Sequence, residues 1–330
     1  MRKPPLRLRL MIAVAVASAA AFLSYLEPLR KGGDEGDFNM IRFGAKTIIE
    51  HGDPYQLVGP GRVYNKDFAL LYPATALVVA LPFGLLSEQA SAIVFMWLSV
   101  FALAFALTAD GLYRTPLFLS SAFVIAARRG QWTPVFTAAM LLPNLAWIYV
   151  CKPNIGIALL ASSSTWRAVK TVILGGGIIV VVSLILLPSW PREWLNLVST
   201  GHHGLAPITQ RFGFVIALAL LRWRRPEARL LLALGCVPHT PSWYHVLPLL
   251  LIPSSFRESL ILSLLISSGF VYELFSPITA TNIMDVYHRV SNDMILFAYL
   301  PALIMILRRP NERGGTWRLP EYRVPANAPA

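Results

Sequence analysis

The sequence predicts an all-α protein that crosses a membrane many times. Three observations carry that prediction. Of 330 residues, 55% are hydrophobic and only 14% are charged, whereas a soluble protein carries about 25% charged residues. Apolar runs close to the ~20 residues a spanning helix needs recur along the chain. Lys and Arg gather between alternate runs, as the positive-inside rule requires. This composition excludes a disordered chain, a collagen-like or disulfide-rich scaffold, and a soluble enzyme. A net charge of +12 would point to nucleic acid in a soluble chain. Here the basic residues lie between apolar blocks and mark one side of a membrane, so no nucleic-acid partner is expected. The two cysteines, Cys151 and Cys236, have no metal-site spacing and imply no disulfide framework.

The first run, 10–28, follows Arg2, Lys3, Arg7 and Arg9. Ser18-Ala19-Ala20 resembles a signal-peptide cleavage site, but apolar sequence continues through Leu23, so an uncleaved helix is expected. Further full-length candidates are 70–87, 90–109, 132–150, 171–188, 243–256, 258–276 and 293–307. Shorter blocks at 115–127, 154–165, 212–221 and 228–238 read as short spans or parts of broken or re-entrant helices. Together they predict roughly ten to twelve transmembrane helices in one domain over 1–307.

With the N-terminus cytoplasmic, the inside loops hold Arg2 to Arg9, Glu88, Arg128-Arg129, Arg167 to Lys170, Arg222 to Arg229, Arg257-Glu258 and the tail from Arg308. The charge asymmetry then favours this orientation strongly and returns the C-terminus to the cytoplasm. A plasma or inner membrane is the expected location. Residues 308–330, rich in Pro and Arg, read as a disordered cytoplasmic tail.

Two outer loops are large, 29–69 and 189–211, so any chemistry is expected on the outer face. In the first loop, apolar residues at 38, 41, 45, 48 and 49 have helical spacing. The pattern predicts an amphipathic helix lying on the membrane, with Arg42, Lys46 and Glu50 on its wet side. Gly52-Asp53-Pro54 ends it with turn chemistry. Asp34 and Asp37 precede it, where they can cap the helix or act as free carboxylates.

The order of motifs then carries a resemblance. Gly36-Asp37-Phe38, Gly52-Asp53-Pro54-Tyr55 and Tyr72-Pro73 are followed by Arg129-Gly130-Gln131, Lys152-Pro153 and Thr240-Pro241-Ser242-Trp243-Tyr244-His245. This series, from 36 to 245, resembles glycosyltransferase family 87, membrane enzymes of the GT-C class. It differs at Ala74 and Val246, where the family often has a second proline and a second histidine.

The resemblance implies a GT-C-like helical fold and an inverting transfer of a sugar, mannose or arabinose foremost, from a polyprenyl-phosphate carrier. The acceptor would be a glycolipid or polysaccharide of the cell envelope. It places the general base at Asp37, with Asp34 as the alternative. The pair also offers oxygen ligands to a divalent metal, and metal dependence stays open. Lys152 reads equally as a phosphate ligand or as a lysine reaching for the interface. His245 reads equally as a phosphate or proton-handling group or as a structural partner of Trp243 and Tyr244. Tyr55 and Tyr72 can stack on a sugar or belong to the interfacial aromatic belt. Arg42 is expected mainly on the solvated face of the loop helix. Gln131 conflicts with the charge pattern, which puts it inside, away from Asp37, unless 115–131 is re-entrant. Glu273 is expected to be paired or interfacial. His202, His203, His239 and His288 are outer-face alternatives with no metal spacing. Two other functions share much of this pattern: a transporter or flippase of a lipid-linked substrate, and a non-catalytic envelope scaffold.

Overall fold

A computed structural model describes residues 3–31, 37–66, 68–163, 165–200, 204–276 and 282–311. Among them every regular element is helical. Five helices are long and apolar enough to cross a membrane: Leu6–Glu27, Glu88–Leu107, Trp166–Leu186, Phe256–Phe275 and Ile283–Leu307. The protein is therefore an all-α, membrane-embedded, multi-pass chain.

Helix α1 (Leu6–Lys31) is followed by α2 (Phe38–Ile49), α3 (Pro54–Leu57), α4 (Ala74–Val79), α5 (Leu81–Gly84) and α6 (Glu88–Leu107). α1 and α6 pack antiparallel. Arg9 donates to the Phe105 carbonyl at 2.8 Å, and Trp97 Nε1 donates to Ser18 Oγ at 3.3 Å. The buried face of α1 is a row of small residues, Ala13, Ala17, Ala20 and Ser24, ending at Glu27. Lipid tails are as apolar as leucine, so helices in a bilayer gain by close backbone approach rather than by hiding apolar surface, and small residues permit it. Two ends of the bundle are thus defined, one at Arg9 and one at Glu27.

From the Arg9 end a 3-10 turn, Thr115–Leu119, and α7 (Ser121–Arg128) lead back to the Glu27 end. There Arg128 holds the buried Glu27 carboxylate at 2.6 Å. α8 (Thr133–Leu141) descends, and a 3-10 segment, Pro143–Cys151, returns towards Lys152. α9 (Pro153–Ser163) follows. α10 (Trp166–Thr171) continues through a π-helical turn into α11 (Gly177–Leu186). Leu174, Ile178, Val181 and Ile185 of this last span lie exposed in one stripe, a surface suited to lipid rather than water.

At the Glu27 end α12 (Trp190–Thr200) leans on the first loop through Trp194 Nε1, which donates to the Leu71 carbonyl at 3.0 Å. Then come a 3-10 segment, Gly213–Arg222, α13 (Pro226–Cys236), a second 3-10 segment, Trp243–Leu251, and α14 (Phe256–Phe275). α15 (Ile283–Met294) and α16 (Leu300–Leu307) form one span through a π-helical turn. Arg309 closes the far end, pairing with Glu258 at 2.6 Å and Glu227 at 3.5 Å and donating to the Ile252 carbonyl.

Several expectations are corrected. Segment 70–87 does not cross: α4 and α5 fold back onto α2, with Gly84 against the Lys46 and Ala45 backbone. Segment 132–150 is not one span but two short helical segments, because Pro143 follows a break at Leu142. Block 115–127 runs between the two ends of the bundle. Arg128 and Arg129 consequently sit beside Glu27 and Asp37, not on the opposite face, and Glu88 joins that end through Arg42. Asp110 and Arg114 move the other way, to the Arg9 end. The exchange shifts one net charge between the ends, so the asymmetry of Lys and Arg survives it.

The loop helix is also corrected. α2 does not float on the membrane with Arg42 wet. Arg42 is 8% exposed; its guanidinium donates to the Leu86 carbonyl at 2.6 and 2.9 Å and lies 3.8 Å from Glu88. Only Lys46 and Glu50 keep the expected outward pairing. Gly52-Asp53-Pro54 does end α2, and the Asp53 carboxylate caps the next turn by accepting from the Tyr55 amide at 2.8 Å. Residues 312–330 of the proposed tail lie outside the described residues.

Candidate functional site

Five stretches far apart in sequence meet at the Glu27 end. Asp37 opens α2, yet its side chain does not cap that helix. Its carboxylate instead accepts from the Gln131 side-chain amide, and its backbone amide donates to the Arg129 carbonyl at 2.9 Å. Gln131 is 1% exposed. Gly130 makes this junction possible. Its φ of +62° lies in the left-handed region, and a Cβ there would stand 3.0 Å from the Phe38 Cβ.

Phe38, the residue after Asp37, joins an aromatic cluster drawn from α2, α5, α6 and the start of α8. Phe38 stacks on Phe95 at 3.9 Å and meets Phe83 edge-on at 5.2 Å, with Trp132 closing the cluster. α2 is thus anchored by ring packing at one end and by Arg42 in its middle.

Lys152 sits in the turn between the Pro143–Cys151 segment and α9. Its ammonium lies 5.5 Å from the Tyr72 ring centre and 5.8 Å from that of Tyr244, within cation–π range of both. No carboxylate among the described residues lies within ion-pair distance of it. Burial pulls its pKa down from the ordinary lysine range to about 8, and the Asp37 carboxylate opposes that shift. Tyr72 is raised by burial first and by Asp37 second. Asp37 is thus near enough to act electrostatically on both Lys152 and Tyr72.

The far wall is formed by His239, Tyr244 and His245. The His239 and His245 rings lie 4.5 Å apart, and Tyr244 is 4.3 Å from His245. His239 is 4% and His245 2% exposed. Among the described residues, His239 Nε2 and His245 Nδ1 are buried without a hydrogen-bond partner. Burial pulls His239 down to about 4, with Lys152 contributing, so its ring is neutral at pH 7.

Other sequence candidates take supporting places. Tyr55 is buried and donates through its hydroxyl to the Tyr72 carbonyl at 3.0 Å. It thereby sets Tyr72 rather than facing Asp37. Trp243 donates to the Glu273 carboxylate at 2.5 Å, which fixes the start of the 3-10 segment carrying Tyr244 and His245, and gives Glu273 the partner expected for it. Arg42 is committed to Leu86 and Glu88 as described. His288 pairs with the Gln210 side-chain oxygen at 2.7 Å. Asp34, His202 and His203 lie outside the described residues. No group of three or more His, Cys, Asp or Glu among the described residues is arranged to hold a metal ion.

Sequence reasoning left His239 unranked among the outer-face histidines. The only signal for it was local: Pro238 and Pro241 bracket the His239-Thr240 pair and stiffen a loop that would otherwise be polar and mobile. No family model, curated protein or solved structure matches the chain.

Proposed function

We propose that the protein is a GT-C-type glycosyltransferase that moves a sugar from a polyprenyl-phosphate carrier to a hydroxyl of an envelope glycolipid or polysaccharide. The observation that carries this reading is the meeting of Asp37, Gln131, Lys152, Tyr72 and His245 around one carboxylate and one half-buried ammonium. These residues belong to the separate motifs that resemble glycosyltransferase family 87. Helix packing alone gives no reason for their polar ends to converge.

In this reading Asp37 takes the proton of the acceptor hydroxyl as its oxygen attacks the anomeric carbon. The bond from that carbon to the phosphate oxygen breaks, and polyprenyl phosphate leaves with one more negative charge. Lys152 meets the growing charge in a site where few waters compete, so its interaction strengthens towards the transition state. Gln131 aims the carboxylate. Tyr72 and Tyr244 hold the ammonium from both sides and offer flat walls to the sugar. The lipid-facing helices receive the prenyl chain, and the reaction lies on the face opposite the basic Arg9 end, the extracytoplasmic face of a plasma or inner membrane. A transporter would instead place its charged site near the middle of the bilayer, whereas this cluster lies at one end of the bundle.

The test is a transfer assay on purified protein in detergent, with radiolabelled polyprenyl-phosphate sugars and a total lipid extract as acceptor. Wild type should form a labelled product, and Asp37→Asn should lose at least about a hundredfold in rate, as expected for removal of a general base. Full activity in Asp37→Asn would remove Asp37 from that role.

A further inference from the structure

The reading above leaves His239 without a task, although its surroundings are built with care. Its backbone forms a two-way bridge with Leu205: Leu205 donates to the His239 carbonyl at 3.0 Å, and His239 donates back at 3.3 Å. Gly204 lies flat against this bridge, and a Cβ there would come within 2.7 Å of three His239 backbone atoms. Asn154, two residues after Lys152, donates to the Pro238 carbonyl at 3.1 Å, which ties the His239 loop to the lysine turn.

The ring is oriented as tightly. His239 Nδ1 lies 3.2 Å from the Thr240 carbonyl oxygen. A carbonyl oxygen can only accept, so Nδ1 carries the proton and Nε2 presents a bare lone pair. That atom is buried and has no hydrogen-bond partner among the described residues. A buried acceptor left unpaired is costly, and each such group in a native protein calls for a role or an occupant.

We propose that His239 is a specificity-determining residue whose Nε2 accepts a hydrogen bond from a hydroxyl of the donor sugar. The inference rests on the glycosyl-transfer reading. A hydroxyl is the chemistry a neutral imidazole acceptor recognises; an unprotonated phosphate oxygen offers it nothing. The sugar is attached to the phosphate that Lys152 would hold, and the Lys152 turn and the His239 loop are tied together. Selection among sugars then follows: a sugar with no hydroxyl at that position leaves Nε2 unpaired in a dry site.

The experiment measures binding to full-length protein in detergent, without acceptor, of two ligands of equal charge. One is citronellyl-phospho-mannose or citronellyl-phospho-arabinose; the other is citronellyl methyl phosphate, which has no hydroxyl. Wild type should prefer a glycosylated ligand. His239→Leu should lose about tenfold or more of that preference while its affinity for the methyl ester stays unchanged. His239→Gln, whose side-chain oxygen can take the place of Nε2, should restore much of it. A monodeoxy sugar series on wild type should reproduce the loss at one ring position, and this arm needs no variant to fold. Unchanged preference in His239→Leu, or no sensitive position in the deoxy series, would overturn the role of His239 and leave the transferase reading standing. Equal weakening of both ligands would make His239 a structural or anion-binding residue and also overturn it. Failure of wild type to bind either ligand would overturn both.

Discussion

In the proposed transfer, Lys152 is the residue whose state most directly limits the chemistry. Burial lowers its pKa to about 8, so the ammonium is present below that value and lost as pH rises through it. Affinity for a prenyl phosphodiester should therefore fall above pH 8 in a titration of Kd. Lys152→Arg, which stays charged, should remove that alkaline limb even if its affinity is lower throughout. The folded protein holds fewer protons than the unfolded chain between pH 8 and the ordinary lysine value near 10.5, so this one group makes stability rise with pH across that window. Gln131 gives a second test. Gln131→Glu would set two carboxylates in contact, where both cannot stay ionised. Transfer should drop by about tenfold or more and partly recover in Gln131→Asn only if the shorter amide still reaches Asp37; steady-state rates decide this. His245 and Lys152 were visible in the sequence because each sits in a short motif. His239 was not, because its importance comes from an unpaired nitrogen that only coordinates reveal.

At the scale of the element, α2 is the piece that carries Asp37, and its anchors are specific. Arg42 bridges to Leu86 and Glu88, so Arg42→Ala leaves a half-buried carbonyl and a carboxylate without this donor. A loss of about 2–3 kcal/mol is expected, read as a lower melting temperature in detergent. Gly130→Ala should cost a similar amount, because the left-handed backbone and the Phe38 contact both oppose a methyl group; transfer should suffer more than folding, since the Arg129–Asp37 bond runs through this turn. The amphipathic spacing of 38–49 was legible, and so was its end at Gly52. Its surroundings were not. An apolar stripe with basic residues beside it is the same pattern whether the helix lies on lipid or under α5, and the choice depends on what folds over it.

For the whole molecule, the altered path of the chain makes a prediction about sides. Once Cys151 and Cys236 are replaced by serine, Pro60→Cys and Gln89→Cys should react with a membrane-impermeant maleimide from the same side of a sealed vesicle, and Ala109→Cys from the other. Opposite reactivity of positions 60 and 89 would restore 70–87 as a span and break the α1–α6 pairing described above. Pro60, Gln89 and Ala109 are all exposed, so access depends on side rather than on burial.

Composition and hydropathy by themselves determined that this is a helical membrane protein with one basic side, because a bilayer admits only apolar segments whose backbone bonds are satisfied within them. The short motifs that resemble glycosyltransferase family 87, not composition, singled out Asp37, Tyr72, Lys152 and His245. The tertiary structure decided which runs cross and which fold back, and hence that Gln131 stands at Asp37. Charge counting read Arg128 and Arg129 as a mark of the inner face. In the folded chain Arg128 is neutralised by Glu27, a buried carboxylate on another helix. A pairing between residues a hundred positions apart leaves no local trace, so the side on which those arginines lie is a property of packing and not of sequence pattern.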